Sequence, residues 1–331
     1  MINYTPGQQH PIVTREEYIR QQQQCSLLTD VSSQMSRDWI NGGQAFDYPN
    51  YSGSFAWTPR NDCTIDELTN NPIKFKDYTI SQNSLIWSAF KYGPLPTQNI
   101  NIHIEPAAMI AYVTGKPDTA YLAFRGSQTG ADFGLDAQYA EVANPLSATG
   151  GTIMKGFSKY FVGLGIDAEG TRPENTLNYY VPGKTLWNSL KDISYLHGGA
   201  VKHLIVTGHS LGSTTATLSC AFACQQGWFE TVVGSVSASP RVGTAPFKKW
   251  FDNLKDNSHR MLNDRFWRLT NTADGVPNLP GAPYTEVGNA VTFTAENGAE
   301  HNPCCTYSYA INHPILTSNP FIATCTFPKD N

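Results

Sequence analysis

The chain has 331 residues, 40% of them hydrophobic and 15% charged, with a formal net charge of −4. So few charges exclude a charge-rich disordered chain or a coiled coil, and the length accommodates one large α/β domain or two smaller units. No basic excess is on offer to nucleic acid or to an anionic membrane, so electrostatic capture of either is set aside as the main activity.

In chain order, residues 1–75 mix Gln, Asn, Ser, Gly and Tyr, including Gln21 to Gln24 and the turn signal Asn41-Gly42-Gly43, without sustained periodicity. They read as an N-terminal extension of unassigned role, and the main domain is placed at 76–331. The first 25 residues show no basic stretch followed by an apolar one, which sets a cytoplasmic expectation, with export by a leaderless route as the alternative. SLIWSAF (84–90) predicts a helix, PAAMIAYV (106–113) and AYLAF (120–124) predict buried strands, and the turn Gly115-Lys116-Pro117-Asp118 separates those two. Leu186, Trp187, Leu190, Ile193 and Leu196 recur at helical spacing, followed by the apolar strand KHLIVTG and the helix-compatible LGSTTATLSCAFACQ. TVVGSVSAS and FWRLTNT repeat the strand signal on either side of the amphipathic FKKWFDNL. The alternation predicts an α/β fold with a mostly parallel sheet flanked by helices, and no internal repeat is present.

The charge-free stretch from His203 to Phe229 carries four Thr, three Ser and two Gln, too polar for a membrane span, so no transmembrane segment is expected. Seven cysteines, an odd number, cannot all pair within one chain. Cys220 and Cys224, one helical turn apart on an apolar run, read as core residues. Cys304-Cys305 invites either a disulfide, for example with Cys325, or two thiols. No metal site and no cofactor is expected.

The sharpest motif is GHSLG at 208–212, between a predicted strand and a predicted helix. A strand-to-helix reversal this tight leaves no room for a Cβ beside the serine, so Gly208 and Gly212 are the residues the geometry needs. Ser210 is then a nucleophile held at a helix N-terminus, where the backbone N–H of Leu211 can stabilise an oxyanion. A weakly acidic alcohol needs a base, and the base an orienting acid. Asp274, just past the strand FWRLTNT, is the acid candidate. Only His301 and His313 follow it.

With these residues in view, the chain resembles the class 3 lipases of the α/β-hydrolase superfamily, typified by filamentous-fungal triacylglycerol lipases. AYLAFRGS (120–127), MKGF (154–157), the GHSLG elbow, SPRVG (239–243) and NTADGVPNLP (271–280) occur in the family's order. The resemblance implies an α/β-hydrolase fold and a triad of Ser210, Asp274 and His313, since YAINHPIL matches the family's late histidine. His301, in the turn-like NGAEHNP, is expected to be solvated. It also implies that Ser127 is the second oxyanion donor, beside Leu211, and that residues 128–146 are a lid whose Phe133, Leu135, Tyr139 and Val142 cover an acyl groove. Asp132, Asp136 and Glu141 make that lid polar, and Arg125 is expected to brace its loop against a carboxylate. The implied function is a serine ester hydrolase acting on acylglycerols, with phospholipid sn-1 cleavage as the close alternative and a lipid–water interface as its place of work. A serine peptidase, a thioesterase, or a lipase-like scaffold kept for protein interaction are the rivals.

Overall fold

The computed structural model describes residues 3–4, 15–41, 78–92, 101–113, 115–128, 132, 136–167, 185–195 and 199–312. In chain order the strands are β1 (Asn3–Tyr4), β2 (Tyr78–Tyr92), β3 (Asn101–Val113), β4 (Lys116–Phe124), β5 (Glu141–Ala143), β6 (Thr152–Met154), β7 (His203–His209), β8 (Thr231–Ser237), β9 (Gly243–Thr244), β10 (Phe266–Asn271), β11 (Tyr284–Thr285) and β12 (Asn289–Phe293). The helices are α1 (Arg15–Asn41), α2 (Lys155–Val162), α3 (Leu186–Ile193), α4 (Leu211–Gln226), α5 (Ala245–Asp252) and the single turn α6 (Tyr309–Asn312).

An eight-stranded sheet runs β1-β12-β10-β8-β7-β4-β3-β2. Its centre, from β4 through β7, β8 and β10 to β12, is parallel, and antiparallel strands close both edges. A small antiparallel sheet, β11-β9-β6-β5, lies apart. Parallel strands need crossover connections, and these bring the loops after β4, β7, β10 and β12 to one edge of the sheet. That edge is where the sequence motifs end up.

One prediction fails at β2. SLIWSAF is the end of a long strand, with Leu85 to Phe90 pairing against Met109 to His103 of β3. Its spacing looks helical because Leu85 to Phe90 are all buried, which removes the alternation that usually marks a strand.

Within residues 1–75, read as an extension, α1 contributes a structural layer. Leu27, Leu28, Val31 and Met35 of α1 pack on Tyr78, Leu85, Met109, Tyr121 and Ala123 of the sheet, each burial contributing about 1.5–3 kcal/mol. The helix escapes sequence detection because its buried face is also polar. Those polar groups are satisfied by the sheet: Gln22 Nε2 donates to Ser235 Oγ at 2.5 Å, and Tyr121 OH donates to Gln24 Oε1 at 2.6 Å.

The opposite face is covered by α4, whose residues from Leu211 to Cys224 are buried. Its Ser and Thr are tolerated there because Thr214, Thr215 and Thr217 turn their hydroxyls back onto the carbonyls of Leu211 and Ser213. Cys220 and Cys224 sit in this core as expected, and they are free thiols, as is Cys25. Cys304 is buried, and Cys325, its suggested disulfide partner, lies outside the described residues. Among the described residues no helix is long and apolar enough to cross a membrane.

Candidate active site

Ser210 stands between β7 and α4 with φ 56° and ψ −127°. A non-glycine residue in that region is strained and persists only where the surroundings over-determine it. Here the surroundings are the two glycines: a Cβ on Gly208 would strike the backbone of Gly212, and one on Gly212 would strike the carbonyls of Arg125 and Phe124. The requirement read from the motif is met, and the second contact shows why. Gly212 lets the elbow press against the end of β4, so the loop after β4 lies beside the nucleophile.

Ser210 Oγ lies 2.9 Å from Nε2 of His301, and Nδ1 of His301 lies 2.8 Å from Oδ2 of Asp274. Asp274 is buried, whereas the His301 side chain is 38% exposed. The reading of His301 as a solvated turn residue is thus corrected: it joins the other two residues. His313, the expected base, lies outside the described residues. The geometry responsible is the parallel pair β10 and β12, which pairs Asn271 with Phe293 and sends both following loops over the same edge.

Three residues outside the expected triad hold this arrangement. Asn271, fully buried, donates through Nδ2 to the carbonyls of Ala295 and Glu300 and accepts at Oδ1 from the N–H of Ala295. It ties the end of the acid strand to the loop carrying His301. Tyr307 donates its hydroxyl to Asp274 Oδ2 at 2.7 Å and accepts from the N–H of Asn271. His209 lays its ring against His301 and Tyr307, with centroids 4.8 and 5.3 Å away. Burial holds His209 well below the ordinary histidine range, and the neighbouring His301 lowers it further. It packs as a neutral ring. Asn271 and His209 fall within segments the sequence singled out, NTADGVPNLP and GHSLG, whereas Tyr307 carried no sequence signal.

The oxyanion side is built from β4. Leu211 is the first residue of α4, so its N–H has no intrahelical acceptor and faces outward from the helix end. Gly126 abuts the elbow, its would-be Cβ lying 3.6 Å from that of Ser210, which places the adjacent Ser127 at the nucleophile. Ser127 does not aim its hydroxyl there: Oγ donates to Asp136 Oδ2 at 2.7 Å. Its backbone N–H is left as the candidate donor.

The expected brace on Arg125 is present. Arg125 is fully buried, its Nη1 lies 2.7 Å from Asp132 Oδ2, and it also pairs with Glu105. Its Nε donates to Pro106 O, and the Asp132 carboxylate accepts the N–H of Gln128. Asp132 is therefore the buried counter-ion of Arg125, so it does not add polarity to a lid surface as expected. Asp132→Ala leaves that guanidinium with Glu105 alone, and we expect a loss of about 3 kcal/mol in denaturant unfolding. A loss below about 1 kcal/mol, the scale of an exposed pair, would show that the brace does not bear on stability.

Asp136 is a second consequence of this packing. Burial pushes its carboxyl up to about 6 from 3.8; the Ser127 hydroxyl pulls it down, and Asp132 pushes it further up. Between about pH 4 and about pH 6 the folded chain keeps a proton that the unfolded chain has released, so this group's contribution to stability is full below about pH 4 and lost as pH rises through about 6. Asp136→Asn should flatten that part of the stability profile, which denaturation midpoints across the interval would show; an unchanged slope would assign it to other groups.

The rest of the expected lid divides. Phe133 and Leu135 lie outside the described residues. Val142 sits in β5 and packs on the main core, so it does not cover a groove, and Glu141 beside it is exposed and accepts from Thr152 Oγ1 at 2.6 Å. Tyr139 is 52% exposed and lines an open groove with Leu279, 49% exposed, from the loop after Asp274.

Comparisons with known proteins agree on the lineage. The sequence pattern described as "Lipase (class 3)" matches residues 121–284. Phospholipase A1-II 1 of Oryza sativa subsp. indica is 30% identical over 118 residues, 35% of this chain and 28% of that protein. Phospholipase A1-IIgamma of Arabidopsis thaliana is 35% identical over 95 residues, 26% and 21% of the respective chains. The chain thus spans under a third of the length of these relatives. In fold, a fungal lipase–inhibitor complex covers 91% of this chain and 85% of its own with a TM-score of 0.53 at 19% identity. A triacylglycerol lipase described as having a serine protease triad gives 0.52 at 19%. Both candidate histidines lie beyond the matched 121–284, so the family pattern does not choose between them. Residues 121–284 thus match the class 3 lipase pattern, and the chain shares the α/β fold of the fungal enzymes.

Proposed function

We propose that this chain hydrolyses carboxylic esters of acyl lipids through Ser210, His301 and Asp274. The observation that carries the reading is the single imidazole bonded on one side to the serine hydroxyl and on the other to a buried carboxylate. Ser210 Oγ attacks the ester carbonyl carbon while His301 Nε2 takes its proton, and Asp274 holds Nδ1–H and stabilises the imidazolium. The carbonyl oxygen gains charge beside the backbone N–H groups of Leu211 and Ser127, donors already in place before the reaction. Collapse breaks the C–O bond, the alcohol leaves with the proton from His301, and water repeats the sequence on the acyl-enzyme.

Acylglycerols are the leading substrates, and the apolar side chains of Tyr139 and Leu279 at the groove support an acyl chain over a peptide. Phospholipid sn-1 cleavage is the second reading, favoured by the names of the plant relatives. Purified protein offered triacylglycerol, sn-1-labelled phospholipid, thioester and peptide should release fatty acid from one of the first two fastest. Preferential cleavage of the peptide or the thioester would overturn the assignment, and no turnover of any would leave the interaction scaffold in possession.

A further inference from the structure

Helix α1 touches the elements that carry the site: β4 and the loop after it, β7, and the turn that follows His301. Ser32 Oγ donates to the carbonyl of Ala123 in β4, the hydroxyls of Thr29 and Thr207 lie 3.2 Å apart beneath the elbow strand, and Gln128, next to Ser127, donates through Nε2 to the carbonyl of Ser33. A fourth contact differs in kind: Ser308 Oγ donates to Asp30 Oδ2 at 2.7 Å, between two buried residues 278 positions apart. Bonds to an ionised acceptor are about twice as strong as neutral ones.

Ser308 closes a π-helical turn, Pro303–Ser308, in which the N–H of Tyr307 reaches back five residues to the carbonyl of Asn302. Such turns are rare and carry one residue more than the α-helical register. Relaxing to that register would rotate each following side chain by about 100° around the axis. Tyr307 would then leave Asp274, the carboxylate it now donates to. We propose that Asp30 is a positioning residue for the Asp274–His301 pair: by holding Ser308 it selects the π register that keeps the Tyr307 hydroxyl on Asp274. The inference rests on the triad reading above, and it gives α1 a part in the reaction besides covering the sheet.

The test uses the full chain. Ser308→Ala removes one hydroxyl, and Asp30→Ala, Ser308→Thr and the double variant Asp30→Ala/Ser308→Ala complete the set. Sites are counted with a serine-reactive phosphonate ester, kcat and KM are measured on a soluble short-chain ester, and the low-field proton resonance of the His301–Asp274 bond is followed by NMR. Both alanine variants should lose about tenfold in kcat per titrated site, the worth of one charge-assisted hydrogen bond, with KM within about twofold of the parent. The low-field resonance should weaken, the double variant should be no worse than either single one, and Ser308→Thr should restore the rate. Unchanged kcat per site in Ser308→Ala, or losses that multiply in the double variant, would overturn the proposal while leaving the triad intact. Should Asp30→Ala fail to fold, Ser308→Ala and its threonine rescue decide alone. A parent chain whose Ser210 takes up no phosphonate would overturn the triad reading and this one with it.

Discussion

Ser210→Ala is expected to lower ester turnover by about 10⁴–10⁶-fold, because a nucleophile and its base act as a unit and removing either abolishes most of what the pair supplies. The effect on folding is small. Alanine keeps the Cβ that the elbow already holds at φ 56°, and the side-chain bond lost is the one to His301. A cooperative unfolding transition near the parent midpoint, together with loss of phosphonate uptake, is the expected pair of results. Turnover near the parent level would mean that the strained serine is a fold feature and that the chemistry lies elsewhere.

His301→Ala should match that loss, and His313→Ala should be mild. The expectation inverts the order implied by family resemblance, and it follows from Nε2 at 2.9 Å from Ser210 Oγ and Nδ1 at 2.8 Å from Asp274 Oδ2. The double variant Ser210→Ala/His301→Ala should be no slower than either single one, since the residual rate comes from the oxyanion donors and substrate binding alone. His301→Gln tests geometry apart from charge: an amide can take up some of the hydrogen bonds but accepts no proton, so its rate should stay with the alanine variant. A His301 variant that turns over esters within about tenfold of the parent would return the base to His313.

Ser210 and Asp274 were legible from the chain because each is announced locally. The elbow is a steric device of five consecutive residues, and the acid lies in a Gly- and Pro-marked loop just after an apolar strand. The core helices and the parallel strands were legible for a similar reason, as periodicity is written into neighbouring residues. The helix reading of SLIWSAF failed where both faces of a strand are buried and the period-two signal disappears. The choice of base had no local mark. NGAEHNP reads as an exposed turn, and His301 does remain 38% exposed on its side chain; what places it at Ser210 is the register of β12 beside β10 and the clamp of Asn271 across their loops.

The same holds for Asp132, polar by sequence yet fully buried because an arginine 7 residues away is buried with it. It holds again for α1, whose Gln, Ser and Thr look like a solvated segment until the sheet supplies their partners. The sequence by itself determined the chemistry on offer, a strained serine at a helix start and an acid on the same sheet edge, because those demands are steric and act over a few residues. Which histidine meets them, which acids are buried and what α1 covers were decided by tertiary structure, because hydrogen bonding and desolvation depend on groups that only the fold brings within 3 Å of one another.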